Sequence, residues 1–177
     1  AGTYGPIVVP AAWMGSGTVT VQADTAQTAV VAGSGTNAVR VDRGARLSLG
    51  AGVKMQATGG HGCYVEGKLI IAGNVEFGAC TYSHMLAAYG GSIAVAASYR
   101  VTGGAQQHWY CYAGGTLVCQ SVTVTLSGTP AFSVAFAQCS SGHMTVNANA
   151  FSGSASGPRY LADLYGVIQT YGSGTSY

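Results

Sequence analysis

The sequence predicts an all-β protein, a right-handed parallel β-helix of about six coils with three short strands in every 23–27 residues or so. Three observations predict it. Glycines keep a ruler: Gly67, Gly91 and Gly115 stand 24 apart, Gly142 and Gly166 follow at 27 and 24, and Gly78, Gly103, Gly128 and Gly153 step by 25. Apolar residues fall into columns at fixed offsets from those glycines and alternate along each segment, as one face of a strand does. The segments lack the 3.6-residue period of an amphipathic helix.

In chain order, residues 1–35 fit the ruler poorly. "GTVTVQA" and "TAVVAGSG" read as strands, whereas "GPIVVPAAWMGSG", with two prolines and a tryptophan, reads as an arm, an attachment segment or a cap on the first coil. Residues 36–177 are the predicted β-helix domain. Two residues past the anchor glycine stand Leu69, Ile93, Leu117, Met144 and Ile168, with Leu47 in register after a shift of one. Two further on come Leu49, Ile71, Val95, Cys119, Val146 and Thr170. Ahead of the corner the columns are read as Val39, His61, Met85, Trp109, Phe136, Tyr160 and as Val41, Cys63, Ala87, Cys111, Gln138, Ala162. A third strand closes each coil, in "VKMQATG", "NVEFG", "SYRVTG", "VTVTLSG" and "NANAFSG". An antiparallel sandwich is the rival fold. Against it, equivalent residues match in parallel register and no Asn-Gly or Asp-Gly hairpin turn occurs. The last strand runs to Tyr177 without a cap, so another chain or further sequence is expected to cover the final coil.

Only 7% of residues are charged, against about a quarter of an ordinary soluble chain, while 48% are hydrophobic and 28 are glycine. Stacked coils explain how "QHWYCYAGGTLVCQSVTVTLSG", Gln107 to Gly128, holds no charge: the coils above and below satisfy its backbone. Its apolar runs fall short of the roughly 18 residues a membrane helix needs, so no membrane insertion is expected. Few, scattered charges summing to +2 argue against a nucleic-acid partner. The start lacks a secretory pattern, so synthesis in the cytoplasm is expected. The five cysteines, Cys63, Cys80, Cys111, Cys119 and Cys139, lack zinc-site spacing; they read as buried thiols or, for some, a disulfide. No cofactor is expected.

The stretch "GPRYLADLYGVIQTYGSGTSY", Gly157 to Tyr177, resembles the "RY...NGVI.T.GGG..Y" ending of β-helical tail fibres of phages and prophages of α-proteobacteria. Arg159, Tyr160, Gly166, Val167, Ile168, Gly172, Gly174 and Tyr177 carry the match; Tyr165 departs from it, standing where such endings often have Asn. The resemblance implies an exterior virion appendage, made in the host cytoplasm, homotrimeric, attached to other virion proteins and engaged in host attachment. The receptor, a surface glycan or protein, and the choice among fibre, spike, neck and baseplate stay open. A polysaccharide-degrading tailspike and a bacterial surface adhesin are the alternatives.

Glycoside hydrolysis needs two carboxyl groups about 5 to 9.5 Å apart. Among five acids, Asp42 and Glu66 are the candidate pair, at one corner of successive coils; Lys54, Glu76 and Arg100 in neighbouring third strands are a comparable set for a lyase. Both sets are thin, and a non-enzymatic protein is expected. His84 and His108, 24 apart, should stack on successive coils, with His61 displaced by one. Stacked imidazoles can hold a metal, but locally hydrogen-bonded histidines are the commoner outcome. Tyr64, Tyr82, Tyr89, Tyr99, Tyr110 and Tyr112 crowd the middle coils and are the candidate intersubunit or receptor surface, with Gln106, Gln107 and Asn74 as nearby polar groups.

Overall fold

A computed structural model describes residues 2–11, 17–24 and 29–172. The chain winds through three parallel sheets in turn, so that each coil adds one strand to each. Sheet I holds β1 (Gly2–Tyr4), β4 (Ala29–Ser34), β7 (Val53–Thr58), β10 (Glu76–Cys80), β13 (Tyr99–Val101), β16 (Thr123–Leu126) and β19 (Ala150–Ser152). Sheet II holds β2 (Ile7–Val9), β5 (Val39–Val41), β8 (Cys63–Val65), β11 (Ser83–Ala88), β14 (Ala105–Tyr112), β17 (Phe132–Ser140) and β20 (Tyr160–Asp163). Sheet III holds β3 (Val19–Val21), β6 (Arg46–Leu49), β9 (Lys68–Ile71), β12 (Ser92–Val95), β15 (Thr116–Gln120), β18 (His143–Asn147) and β21 (Val167–Gln169). The result is a parallel β-solenoid of about seven coils rather than six.

The additional coil comes from the N-terminal segment. β1 pairs with β4, β2 with β5 and β3 with β6, so the described residues before position 36 are solenoid and not a separate arm. Pro6 and Pro10 disguise it: they bracket β2, an edge strand, where a missing N–H costs no ladder bond. Trp13 of the expected cap, and Gly174 and Tyr177 of the C-terminal match, lie outside the described residues.

Sheet III keeps its register throughout. Val19, Leu47, Leu69, Ile93, Leu117, Met144 and Ile168 form one ladder, and Val21, Leu49, Ile71, Val95, Cys119 and Val146 nearly complete a second; Met144 pairs with Ile168. All from Leu47 to Met144 in the first ladder are essentially inaccessible. The glycine ruler has a steric cause at the corner between sheets II and III. A Cβ on Gly91 would strike the carbonyl of Val65, on Gly115 that of Ala87 and on Gly166 that of Cys139, so each coil lies directly on its predecessor only without a side chain.

Sheet II departs from the expected columns. Its inward ladder is Ile7, Val39, Cys63, Met85, Trp109, Ala137 and Tyr160, followed by Val9, Val41, Val65, Ala87, Cys111, Cys139 and Ala162. His61 therefore precedes the column that Cys63 occupies, Phe136 precedes Ala137, and Gln138 belongs to the other face, beside the inward Cys139. The cause lies at the corner between sheets I and II. There two consecutive residues reach the core in each middle coil, His84–Met85, His108–Trp109 and Phe136–Ala137, and the register slips between Ala105 and Gln107. The inner halves of these pairs join Phe77, Tyr99, Phe132 and Phe151 in an aromatic core.

The described residues of the C-terminal resemblance, up to Gly172, build the last coil. Tyr160 packs on the core, and the Arg159 guanidinium lies 4.0 Å from the centre of the Phe151 ring, a cation over an aromatic face. Tyr165 has φ 66°, a left-handed conformation that Asn tolerates better than Tyr.

Candidate functional site: an amide ladder on the outer face of sheet II

Outward residues of β11, β14, β17 and β20 stack across four coils and bond to one another. The Ser83 hydroxyl donates to Gln107 Oε1 (2.9 Å) and Gln107 Nε2 donates to Gln138 Oε1 (2.7 Å). Gln138 Nε2 donates to Ser140 Oγ (3.4 Å) and Asp163 Oδ2 (3.3 Å), and the Ser140 hydroxyl donates to Asp163 Oδ1. The direction of this chain follows from chemistry. A carboxylate only accepts, so Asp163 turns the Gln138 NH2 toward itself, which turns the Gln138 carbonyl toward Gln107 and the Gln107 carbonyl toward Ser83. Ser83, Gln107, Gln138 and Ser140 are all under a tenth exposed, so the ladder is held in one arrangement.

Above the ladder lies an open groove of about 400 Å³, lined by His61, Tyr82, Ser83, Gln106, Gln107, Tyr110, Val134 and Gln138. His61 and Tyr82 form an aromatic wall, their ring centres 5.3 Å apart, and Tyr64 continues it at 5.8 Å from His61. The Ser83 backbone N–H donates to His61 Nδ1 (3.2 Å), so the ring proton sits on Nε2. Burial lowers the His61 pKa to about 4, and the imidazole is neutral at physiological pH.

The other tyrosines divide. Tyr110 and Tyr112 are neighbours at 6.0 Å, and Tyr89 meets Tyr112 edge-on at 5.7 Å, beside the groove at the corner with sheet III. Tyr99 does not belong to a surface set: it is 2% exposed, inside the core. Its hydroxyl accepts from Trp109 Nε1 (3.0 Å) and lies 2.6 Å from His108 Nε2, while His108 Nδ1 lies 2.8 Å from His84 Nδ1. Because indole only donates, the economical arrangement runs Trp109 to Tyr99 to His108 to His84, leaving the proton of His84 on Nε2. That nitrogen meets no hydrogen-bond partner, although the Gly78 and Gly104 carbonyls are near enough to ease a charge there. Burial nevertheless lowers the His84 pKa to about 4; burial and then the His84 charge hold His108 well below the ordinary range. The two histidines thus meet in the core through one shared proton. Among the described residues no group of three or more His, Cys, Asp or Glu gathers as a metal site.

The acids are individually engaged. Asp42 takes Arg40 (2.7 Å) and Glu66 takes the Tyr64 hydroxyl (2.9 Å), one coil apart. The Lys54, Glu76 and Arg100 strands are in register, and Glu76 is held by Lys54 (2.7 Å) and by the Thr102 hydroxyl (2.7 Å). Burial raises the Glu76 pKa, but those two hydrogen bonds with the Lys54 and Arg100 charges outweigh it and keep the carboxyl below its ordinary value. A carboxylate so held is a poor general base. Asn74 sits in the turn between β9 and β10, away from sheet II, whereas Gln106 and Gln107 line the groove. All five cysteines are free and buried.

Ser83, Gln138, Ser140, Asp163 and the groove face of His61 escaped sequence reasoning. Ser83 and Gln107 are one regular coil apart and were findable; Gln138 lies 31 residues past Gln107, outside any uniform ruler. Comparison with protein-family models, curated proteins and solved structures finds no match to this chain. No helix among the described residues is long and apolar enough to cross a membrane.

Proposed function

We propose that this chain is the β-helical part of an exterior virion appendage, a phage tail fibre or spike, that assembles as a homotrimer, joins other virion proteins and attaches the particle to a host surface. The observation that carries the reading is the groove on sheet II: a preorganised row of uncharged hydrogen-bonding groups under tyrosine rings, mounted on a stiff stack of coils. Such a surface suits holding a ligand more than cleaving one, and the engagement of Asp42, Glu66 and Glu76 by their own neighbours supports binding without catalysis. The C-terminal resemblance supports the virion setting; of the residues that carry it, Arg159, Tyr160 and Gly166 pack within the last coil.

Gold-labelled antibody against the chain, applied to particles induced from the bacterium that carries the gene, tests the proposal. Label is expected on the exterior of the tail. Particles without label, from a lysate in which the chain is abundant, would refute it.

A further inference from the structure

We infer that the sheet II groove is a subsite for neutral glycan, a run of uncharged hexose or N-acetylhexosamine units; the inference rests on the attachment reading and gives its ligand class. A pyranose has an apolar C–H face and a rim of hydroxyls, each both donor and acceptor. The groove offers the complements. Tyr82, 43% exposed, and Tyr110 present aromatic faces on successive coils. Below them Gln107 uses its carbonyl for Ser83 and one N–H for Gln138, which leaves its second N–H unassigned, and neutral His61 offers Nε2–H. Gln106, on the lining, adds a further amide. Coils repeat at about 4.8 Å, close to the length of one pyranose residue, so a linear glycan crossing the strands would set successive residues on successive coils.

Charge selects the class. No lysine or arginine lines the groove, and the ladder ends on the carboxylate of Asp163, so an anionic sugar finds no counter-charge and one repulsive end. The volume, about 400 Å³, is within the ~300–1,000 Å³ of small-ligand sites. Asp163 is a positioning residue: it orients the amides through Gln138 without lining the groove.

The test is saturation-transfer NMR of the purified chain with maltoheptaose, chitotetraose and polygalacturonate, alongside binding of the same chain to host cells. Transfer to a neutral oligosaccharide, weakened about tenfold by Tyr82→Ala and by Gln107→Leu, is expected. Asp163→Asn should weaken it too, while circular dichroism stays that of wild type. Tyr82 is exposed, so Tyr82→Ala keeps the test valid even where Gln107→Leu fails to fold. A chain that holds cells but ignores both neutral probes, or prefers polygalacturonate, or binds them undiminished by Tyr82→Ala, overturns the glycan assignment alone. Failure to hold cells or probes overturns the attachment reading with it, and self-association abolished by Tyr82→Ala would make the groove an interface between copies.

Discussion

Lowering the pH from 8 to 5 should destabilise this fold sharply, because it buries neutral histidines. His61 and His84 have pKa values lowered to about 4 by burial, against 6.5 for the exposed group. Between these values the unfolded chain binds protons that the folded chain refuses, so stability is full above about pH 6.5 and is lost as pH falls toward 4. At pH 5 the loss per histidine is RT ln[(1 + 10^1.5)/(1 + 10^−1)], about 2 kcal/mol, or about 4 kcal/mol for the two. His108 acts in the same direction. Against a typical total of about 5–15 kcal/mol this is a large fraction. Guanidinium titrations followed by tryptophan fluorescence at pH 8, 6.5 and 5 measure it, and His61→Gln should remove about a third of the loss, since His84 and His108 keep theirs. A stability that changes by less than about 1 kcal/mol from pH 8 to 5 would refute the reasoning that these rings are buried and neutral.

Gly115→Ala should cost about 3 kcal/mol in the same titration, since its Cβ meets the backbone carbonyl of Ala87, which cannot move without shifting a coil. Tyr165→Asn should raise stability by about 1 kcal/mol by relieving a left-handed φ at an exposed site. A thiol reagent should find none of the five cysteines in the native chain and all five in denaturant; one fast-reacting thiol under native conditions would contradict their burial. Sedimentation should give three copies of the 17.8 kDa chain, and a monomer at micromolar concentration would count against the proposed trimer.

What was legible in the sequence follows from where the backbone is regular. Leu47, Leu69, Ile93, Leu117 and Met144 were placed correctly because sheet III has no bulge and its glycine corner repeats the same steric contact. Phe136 and Gln138 were misplaced by one because sheet II turns two consecutive residues inward at one corner, and a period-2 reading cannot count that extra residue; His61 was misplaced by two because the coil from Val39 to Cys63 takes 24 residues and the next, to Met85, takes 22. The same bend hid the candidate face. Tyr99 read as one more surface tyrosine, although its hydroxyl is the joint between Trp109 and His108 in the core. Gln138 was read into an inward column and Asp163 as one of five dispersed acids; only the pairing of β17 with β20 brings them to the end of one ladder. Prolines concealed the first coil because an edge strand tolerates what an interior strand does not.

The central claim is that this solenoid makes the particle's contact with its host, and competition for adsorption tests it most directly. Purified chain, mixed in increasing concentration with particles and host cells, should slow particle adsorption in proportion to the sites it occupies, and Tyr82→Ala chain should need a concentration about tenfold higher for the same effect. Adsorption that proceeds at its full rate under saturating wild-type chain would contradict the account.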